Sequence, residues 1–288
     1  MMRRLAMLSM LGSSLFVLGT GCIVVHADGC WNWGGPHVWV EASEELTFDP
    51  AGVAAVEAKT HNGFIHFDGQ PSGGSAVVRV TKKAGGLTQG DADEAMQAIV
   101  VFVERTGETQ RVGWKWKGVR KPSWQADVSF DITAPGQVNL EAETHNGRLQ
   151  VAGLVGDLRA VTHNGRMEIA SRGGKLRAET HNGRITADYE GSDISLSTHN
   201  GEVTVDLSRC GSVSGDITTH NGGVEIAVGA KTSADLRCET HNGRVTSDAP
   251  ITLGSASRTQ LAGSLGAGGS RLSVVTHNGG IKVKKSAG

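Results

Sequence analysis

The chain has 288 residues, enough for one large domain or two small ones with a sizeable core. Its formal net charge of −1 and isoelectric point near 6.8 exclude the basic face that nucleic-acid binding needs, so no nucleic-acid partner is expected. Glycine accounts for 41 residues, where the usual share of ~7% would give about 20. With aromatics at only 5%, the composition points to many tight turns around an aliphatic core.

At the N-terminus, Arg3 and Arg4 precede an apolar run from Leu5 to Leu18, and small residues then lead to Cys22. Residues 1–21 read as a secretory signal peptide, too short for a membrane span. Gly19-Thr20-Gly21-Cys22 resembles a bacterial lipoprotein box, with Gly19 where leucine is usual. Cys22 would then be the lipid attachment site, and Ile23 after it favours the outer membrane. The alternative is a plain secretory signal with Cys22 an ordinary thiol. Residues 22–45 read as an envelope tether. Of the other cysteines, Cys30, Cys210 and Cys238, the last two could bridge in an oxidising compartment. Their spacing has no zinc or redox signature, which favours unpaired thiols.

Residues 46–136 hold a first β coil, with "THNG" at 60–63, and an insert that interrupts the repeat. In the insert, "GDADEAMQAI" (90–99) predicts a short helix with Asp91 or Asp93 near its N-terminus, followed by strand-like "VVFVERTGETQRVGWKWKG" and "ADVSFDI". All six tryptophans precede residue 125. An open first coil needs covering, so Trp114 and Trp116 are expected to cap it. A carbohydrate-stacking platform is the competing reading.

Residues 137–288 are dominated by "THNG". Its histidines fall at 61, 145, 163, 181, 199, 220, 241 and 277, at intervals of 84, 18, 18, 18, 21, 21 and 36. The unit is about 18 residues, and the last gap reads as two units with a degenerate copy around "RTQL" at 258–261. Apolar or small residues recur three and five positions before the histidine, as in Ala142 and Leu140, and four after it, as in Leu149. The positions four before and five after, such as Arg159 and Glu168, are polar in nearly every copy. Period-2 alternation of this kind marks half-buried strands, with the motif threonine inward and the histidine outward.

The inward phase jumps by an odd step across Asn-Gly, so the chain must turn there. Asn146-Gly147, Asn164-Gly165, Asn182-Gly183 and Asn200-Gly201 are expected corners, since both residue types accept positive φ. Two all-β architectures satisfy the pattern. One is a β-solenoid (β-helix) of ~18-residue coils stacked at roughly 4.8 Å, preferred because stacked coils enclose their own core and allow asparagine ladders. The other is an antiparallel β-hairpin meander with Asn-Gly as the hairpin turn.

The outward column of His145, His163, His181, His199, His220 and His241 is the sharpest candidate ligand ridge. Arg148, Arg166 and Arg184 run beside it and could meet phosphate or an anionic glycan, offset by Glu143, Glu179 and Glu239. His145, His163, His181 and His199 are the metal candidates, although zinc needs convergent ligands and a straight column supplies linear ones. Acidification would load like charges along the ridge and weaken the fold. There is no nucleophile elbow, P-loop, HExxH or calcium nonapeptide, so no catalytic residues and no cofactor are expected.

Three passages, "VEAKTHNGFIHFDG", "VSFDITAPGQVNLEAETHNGRLQVAGLVGDLRAVTHNGRMEI" and "SRLSVVTHNGGIKV", together with the helix-bearing insert, resemble a bacterial adhesin family of envelope proteins with short β-strand repeats and a domain of unknown function. The likeness covers about residues 46–288 and implies a β-helical fold on the cell envelope without catalytic residues. The chain departs from the family in placing histidine so regularly before Asn-Gly. The expectation is a secreted, lipid-anchored, non-catalytic adhesion or scaffold protein that meets a cell-surface glycan or an envelope protein. A metal or anion binder working through the His/Arg ridge is the alternative.

Overall fold

The computed structural model describes residues 24–27, 38–71 and 75–286. Cys22, Cys30, Trp31, Trp33 and the signal peptide lie outside the described residues. The N-terminal part comprises β1 (Val24–Ala27), β2 (Val38–Phe48), β3 (Ala55–Lys59), β4 (Ile65–Gln70) and β5 (Ala76–Gly86). Helix α1 (Gln89–Ala98) follows, then β6 (Ile99–Thr106), β7 (Thr109–Trp116) and β8 (Gln125–Pro135). β2 begins inside the segment read as a tether and pairs along its whole length with β5.

Each later repeat contributes two strands. They are β9 (Asn139–Asn146) and β10 (Leu149–Leu154), β11 (Leu158–Asn164) and β12 (Met167–Arg172), then β13 (Lys175–Asn182) and β14 (Ile185–Glu190). Next come β15 (Asp193–Asn200) and β16 (Val203–Asp206), β17 (Ser214–Asn221) and β18 (Val224–Val228), then β19 (Ala234–Asn242) and β20 (Val245–Ser247). A hairpin of β21 (Ile251–Ala256) and β22 (Gln260–Leu265) precedes the last pair, β23 (Arg271–Asn278) and β24 (Ile281–Lys285).

The strand before each Asn-Gly joins one 12-stranded sheet and the strand after it joins the other. Successive repeats pair parallel and in register, Leu158 with Leu140 and Leu176, Met167 with Leu149 and Ile185. The hairpin alternative is therefore not the pairing observed, because the two strands flanking each Asn-Gly lie in different sheets. The buried columns of both sheets merge into one apolar cluster, with Ala142, Ala160, Leu149, Met167 and Ile185 fully enclosed. The polar columns face outward except at Ser273, a short side chain buried between Asp216 and Arg237.

Two features depart from chain order. His61 and His145 are 84 positions apart, yet β3 pairs with β9 and β4 with β10, so the insert leaves and rejoins the stack at a single rung. At the other end the sheet order is β17-β23-β19-β22-β21. The final repeat slots between the two that precede it. The "RTQL" segment is no degenerate coil but part of an antiparallel hairpin that covers the edge of β19. Parallel pairing along both edges of β23 brings its apolar Leu272 and Val274 beside Ile217, Leu236 and Cys238, and the outer edge of β19 passes to the hairpin.

At the first end, α1 starts at Thr88, whose hydroxyl accepts the N–H of Asp91, and its Ala92, Ala95 and Ala98 are buried. Trp114 and Trp116 pack against the core, and the Trp114 indole donates to Thr60 Oγ1 at 3.0 Å. Cys210 and Cys238 are both free and buried, and burial pushes the Cys238 thiol up to about 12.

The Asn-Gly corner has a cause different from the expected one. No non-glycine residue among those described has positive φ, and Gly147, Gly165, Gly183 and Gly201 are not in the left-handed region either. What demands glycine is proximity: a Cβ on Gly165 would stand 1.8 Å from the carbonyl oxygen of Gly147, and one on Gly183 1.8 Å from that of Gly165. Gly165→Ala should therefore cost about 3 kcal/mol or more, measured by chemical denaturation. Gly211→Ala, in open space, should stay within about 0.5 kcal/mol of the parent.

Candidate functional site

The corner repeats three contacts. The buried threonine hydroxyl donates to the glycine carbonyl of the adjoining rung, Thr198 to Gly183 at 3.1 Å and Thr219 to Gly201 at 3.0 Å. In the unbroken ladder Asn62-Asn146-Asn164-Asn182-Asn200-Asn221-Asn278-Asn242, each asparagine amide after the first donates to the side-chain oxygen of the one before it at 2.8 Å. The glycine allows the backbones to approach. Threonine, asparagine and glycine are thus consumed by the stack itself.

The histidines are not. All eight motif histidines are exposed. Their rings stack face to face in the order His61-His145-His163-His181-His199-His220-His277-His241, with centroids 4.7–4.9 Å apart. From His163 to His277 the ring planes lie within 3° of parallel. The spacing is the rung spacing of a parallel sheet, imposed by the backbone hydrogen bonds and not by the rings.

A groove of about 720 Å³ runs along this column. One wall is the imidazole edges of His61 to His220, the floor is the motif threonines, and the other wall is the residue two before each of His145 to His220: Glu143, Val161, Glu179, Ser197 and Thr218. At its open end Lys59 reaches Glu57 at 2.9 Å and Glu141 and Glu143 at 3.4 Å. The hydrogen bond with Glu57, opposed by burial, holds the Lys59 ammonium above its usual range, and the same bond holds the Glu57 carboxyl below its own.

The arginines expected to share the site do not line it. Arg148, Arg166 and Arg184 stand beyond the Asn-Gly corner. Arg184 is tied to Glu202 at 2.6 Å and Arg166 lies 3.5 Å from Glu168, so the positive stripe is largely neutralised. Among the described residues no group of three or more His, Cys, Asp or Glu converges as a metal cage. Parallel imidazoles point their nitrogens side by side instead of toward a common centre. Sequence reasoning found the histidine column but missed its opposite wall, which appears there only as counter-charges at Glu143 and Glu179. It also missed the order His220-His277-His241, for which the 36-residue gap was the sole signal.

Two outcomes separate scaffold from surface. Asn164→Ala breaks two ladder bonds and should cost about 1–2 kcal/mol, whereas His163→Ser should cost less than about 1 kcal/mol in the same denaturation experiment.

No family model matches the sequence, and no curated protein matches it. Solved structures similar to the chain include a "putative adhesin" from Parabacteroides distasonis ATCC 8503, with a TM-score of 0.42 and 11% identity over 84% of this chain and 96% of that one. A "putative adhesin" from Bacteroides fragilis NCTC 9343 gives 0.40 and 12% over 85% and 97%. A "putative cell adhesion protein" from Clostridium sporogenes ATCC 15579 gives 0.39 and 11% over 85% and 99%. Another similar structure is a "Putative lipid binding protein" from Parabacteroides distasonis ATCC 8503, with a TM-score of 0.32 and 8% identity over 84% of this chain and 96% of that one.

Proposed function

We propose that this chain is a secreted, lipid-anchored envelope protein whose stacked coils form a β-solenoid, and that the solenoid acts as a non-catalytic adhesion module through its histidine-lined groove. The observation that carries the reading is the division of labour within the motif. Threonine, asparagine and glycine each have a partner in the neighbouring rung, while the histidine spends its only contacts on other histidines and leaves one imidazole edge toward solvent along the whole column. A row of aromatic, hydrogen-bonding rings beside hydroxyls and carboxylates suits an extended polar ligand such as a surface glycan. The exposed imidazole edges supply ring nitrogens to sugar hydroxyls on one side, while Ser197, Thr218, Glu143 and Glu179 meet hydroxyls on the other. The insert, with Trp114 and Trp116 closed over the first rung, reads as the cap of this solenoid.

A variant with His163, His181, His199 and His220 changed to serine tests the reading. Bacteria displaying the parent protein should bind a glycan array or host-cell surface, and the variant should lose at least about tenfold in affinity, a loss of ~1.4 kcal/mol, with its melting temperature near neutral pH nearly unchanged. Equal binding by both proteins would remove the groove from the function. Calorimetric titration with zinc, copper and nickel addresses the metal reading, for which the parallel rings predict no stoichiometric uptake.

A further inference from the structure

We infer that the first end of the stack is a docking surface for an anionic phospholipid bilayer. The inference rests on the lipid-anchored reading of Cys22 and adds a protein surface to it. Between Trp114 and Trp124 the chain carries Lys115, Lys117, Arg120 and Lys121. Lys121 is committed to Glu94, with Asp91 4.0 Å away. Lys115, Lys117 and Arg120 join no salt bridge among the described residues. Two of them lie over rings instead, the Lys115 ammonium 6.0 Å from Phe102 and the Arg120 guanidinium 6.0 Å from Trp116.

At the tip between these cations Val119 is 93% exposed, and Leu87 nearby is 54% exposed. Leu87 belongs to the same patch. Its N–H donates to the Asp91 carboxylate, which also receives the Trp124 indole N–H. Exposed aliphatic side chains ringed by cations, with tryptophans behind them, match the layered chemistry of a bilayer interface. The apolar tip enters between headgroups, cations sit over phosphates, and indoles occupy the boundary.

Where the chain joins this end supplies the second argument. Val38 pairs with Gly86, and Gly85 pairs with Gln125, so the start of β2 shares a corner with Leu87 and Trp124. Val24 in β1 pairs with Glu41. Cys22 precedes Val24 by two residues in the sequence, so an acyl group there would tether the molecule at the sheet edge that β1 forms beside β2. The opposite edges, β20 and β21, lie about 50 Å away at ~4.8 Å per strand, and the histidine ladder would run outward from the membrane.

The test uses the full-length chain carrying Cys22→Ser, which cannot be acylated. It is sedimented with vesicles of phosphatidylcholine alone and with vesicles of equal parts phosphatidylcholine and phosphatidylglycerol. Binding is expected only to the anionic vesicles, with release at about 1 M salt, where the Debye length is ~3 Å. Each surface cation is worth about fivefold in partition, so K115Q/K117Q/R120Q should bind about a hundredfold more weakly, and Val119→Asp should weaken binding separately. Equal binding to both vesicle types, or binding by the triple variant equal to that of the parent at an unchanged melting temperature, overturns the inference. Palmitate labelling of the unmodified chain in cells reads the anchor independently. Its absence would overturn the lipoprotein reading and leave the vesicle result to stand on the loop alone.

Discussion

At each Asn-Gly corner from Gly147 onward two backbones come so close that a methyl group on one would lie 1.8–1.9 Å from a carbonyl oxygen of the other. The rest of the coil is arranged around that approach. It sets the rung spacing on this side of the molecule, places each glycine carbonyl where the neighbouring threonine hydroxyl reaches it, and aligns the asparagine amides at 2.8 Å. A buried hydroxyl without a partner would be costly, so inward threonine and close glycine require one another. The near-identity of the motif across eight copies follows from this mutual dependence, because altering one rung leaves unsatisfied groups on two neighbours.

The histidine belongs to the same geometry but not to the same dependence. Its ring stacks because the backbone holds successive Cβ atoms one rung apart, and a serine at that position would leave the hydrogen bonds of the corner intact. The groove beside it is equally a by-product of parallel registration, since each rung adds one imidazole, one threonine and one wall residue. The only variable component is the wall, which runs from Lys59 and Glu143 through Val161 and Glu179 to Ser197 and Thr218. Chemical variation along the groove therefore resides in the wall, while the ladder is constant from rung to rung.

The two ends of the stack are finished differently. The first end receives a helix, antiparallel strands and tryptophans from an insert that starts and ends at one rung. The last end is closed by placing the final repeat inside the stack and giving the outer edge to an antiparallel hairpin. Both arrangements address the same hazard, an unpaired strand edge that would template association with another chain. They also give the molecule polarity, with the basic, aromatic loop at the end where the N-terminal segment joins.

Much of this was legible in the residues. Alternation around the histidine identified the inward columns now seen from Leu140 to Leu272, the outward histidine and the inward threonine, because burial on one face of a strand has a period of 2 that survives any tertiary detail. The helix was legible as 90–99 with an acidic residue, Asp91, in its first turn, while its cap, Thr88, lay just outside that reading. The reason for glycine was not, since positive φ and close approach select the same residue and only coordinates distinguish them. Nor could local pattern reveal that 276–279 lies between 219–222 and 240–243, or that Arg166 and Arg184 turn to Glu168 and Glu202 and away from the groove. Strand order and side-chain pairing depend on which distant segments meet. That is decided by the competition for strand edges and by the free energy of burying both sheets together, quantities no single repeat carries in its sequence.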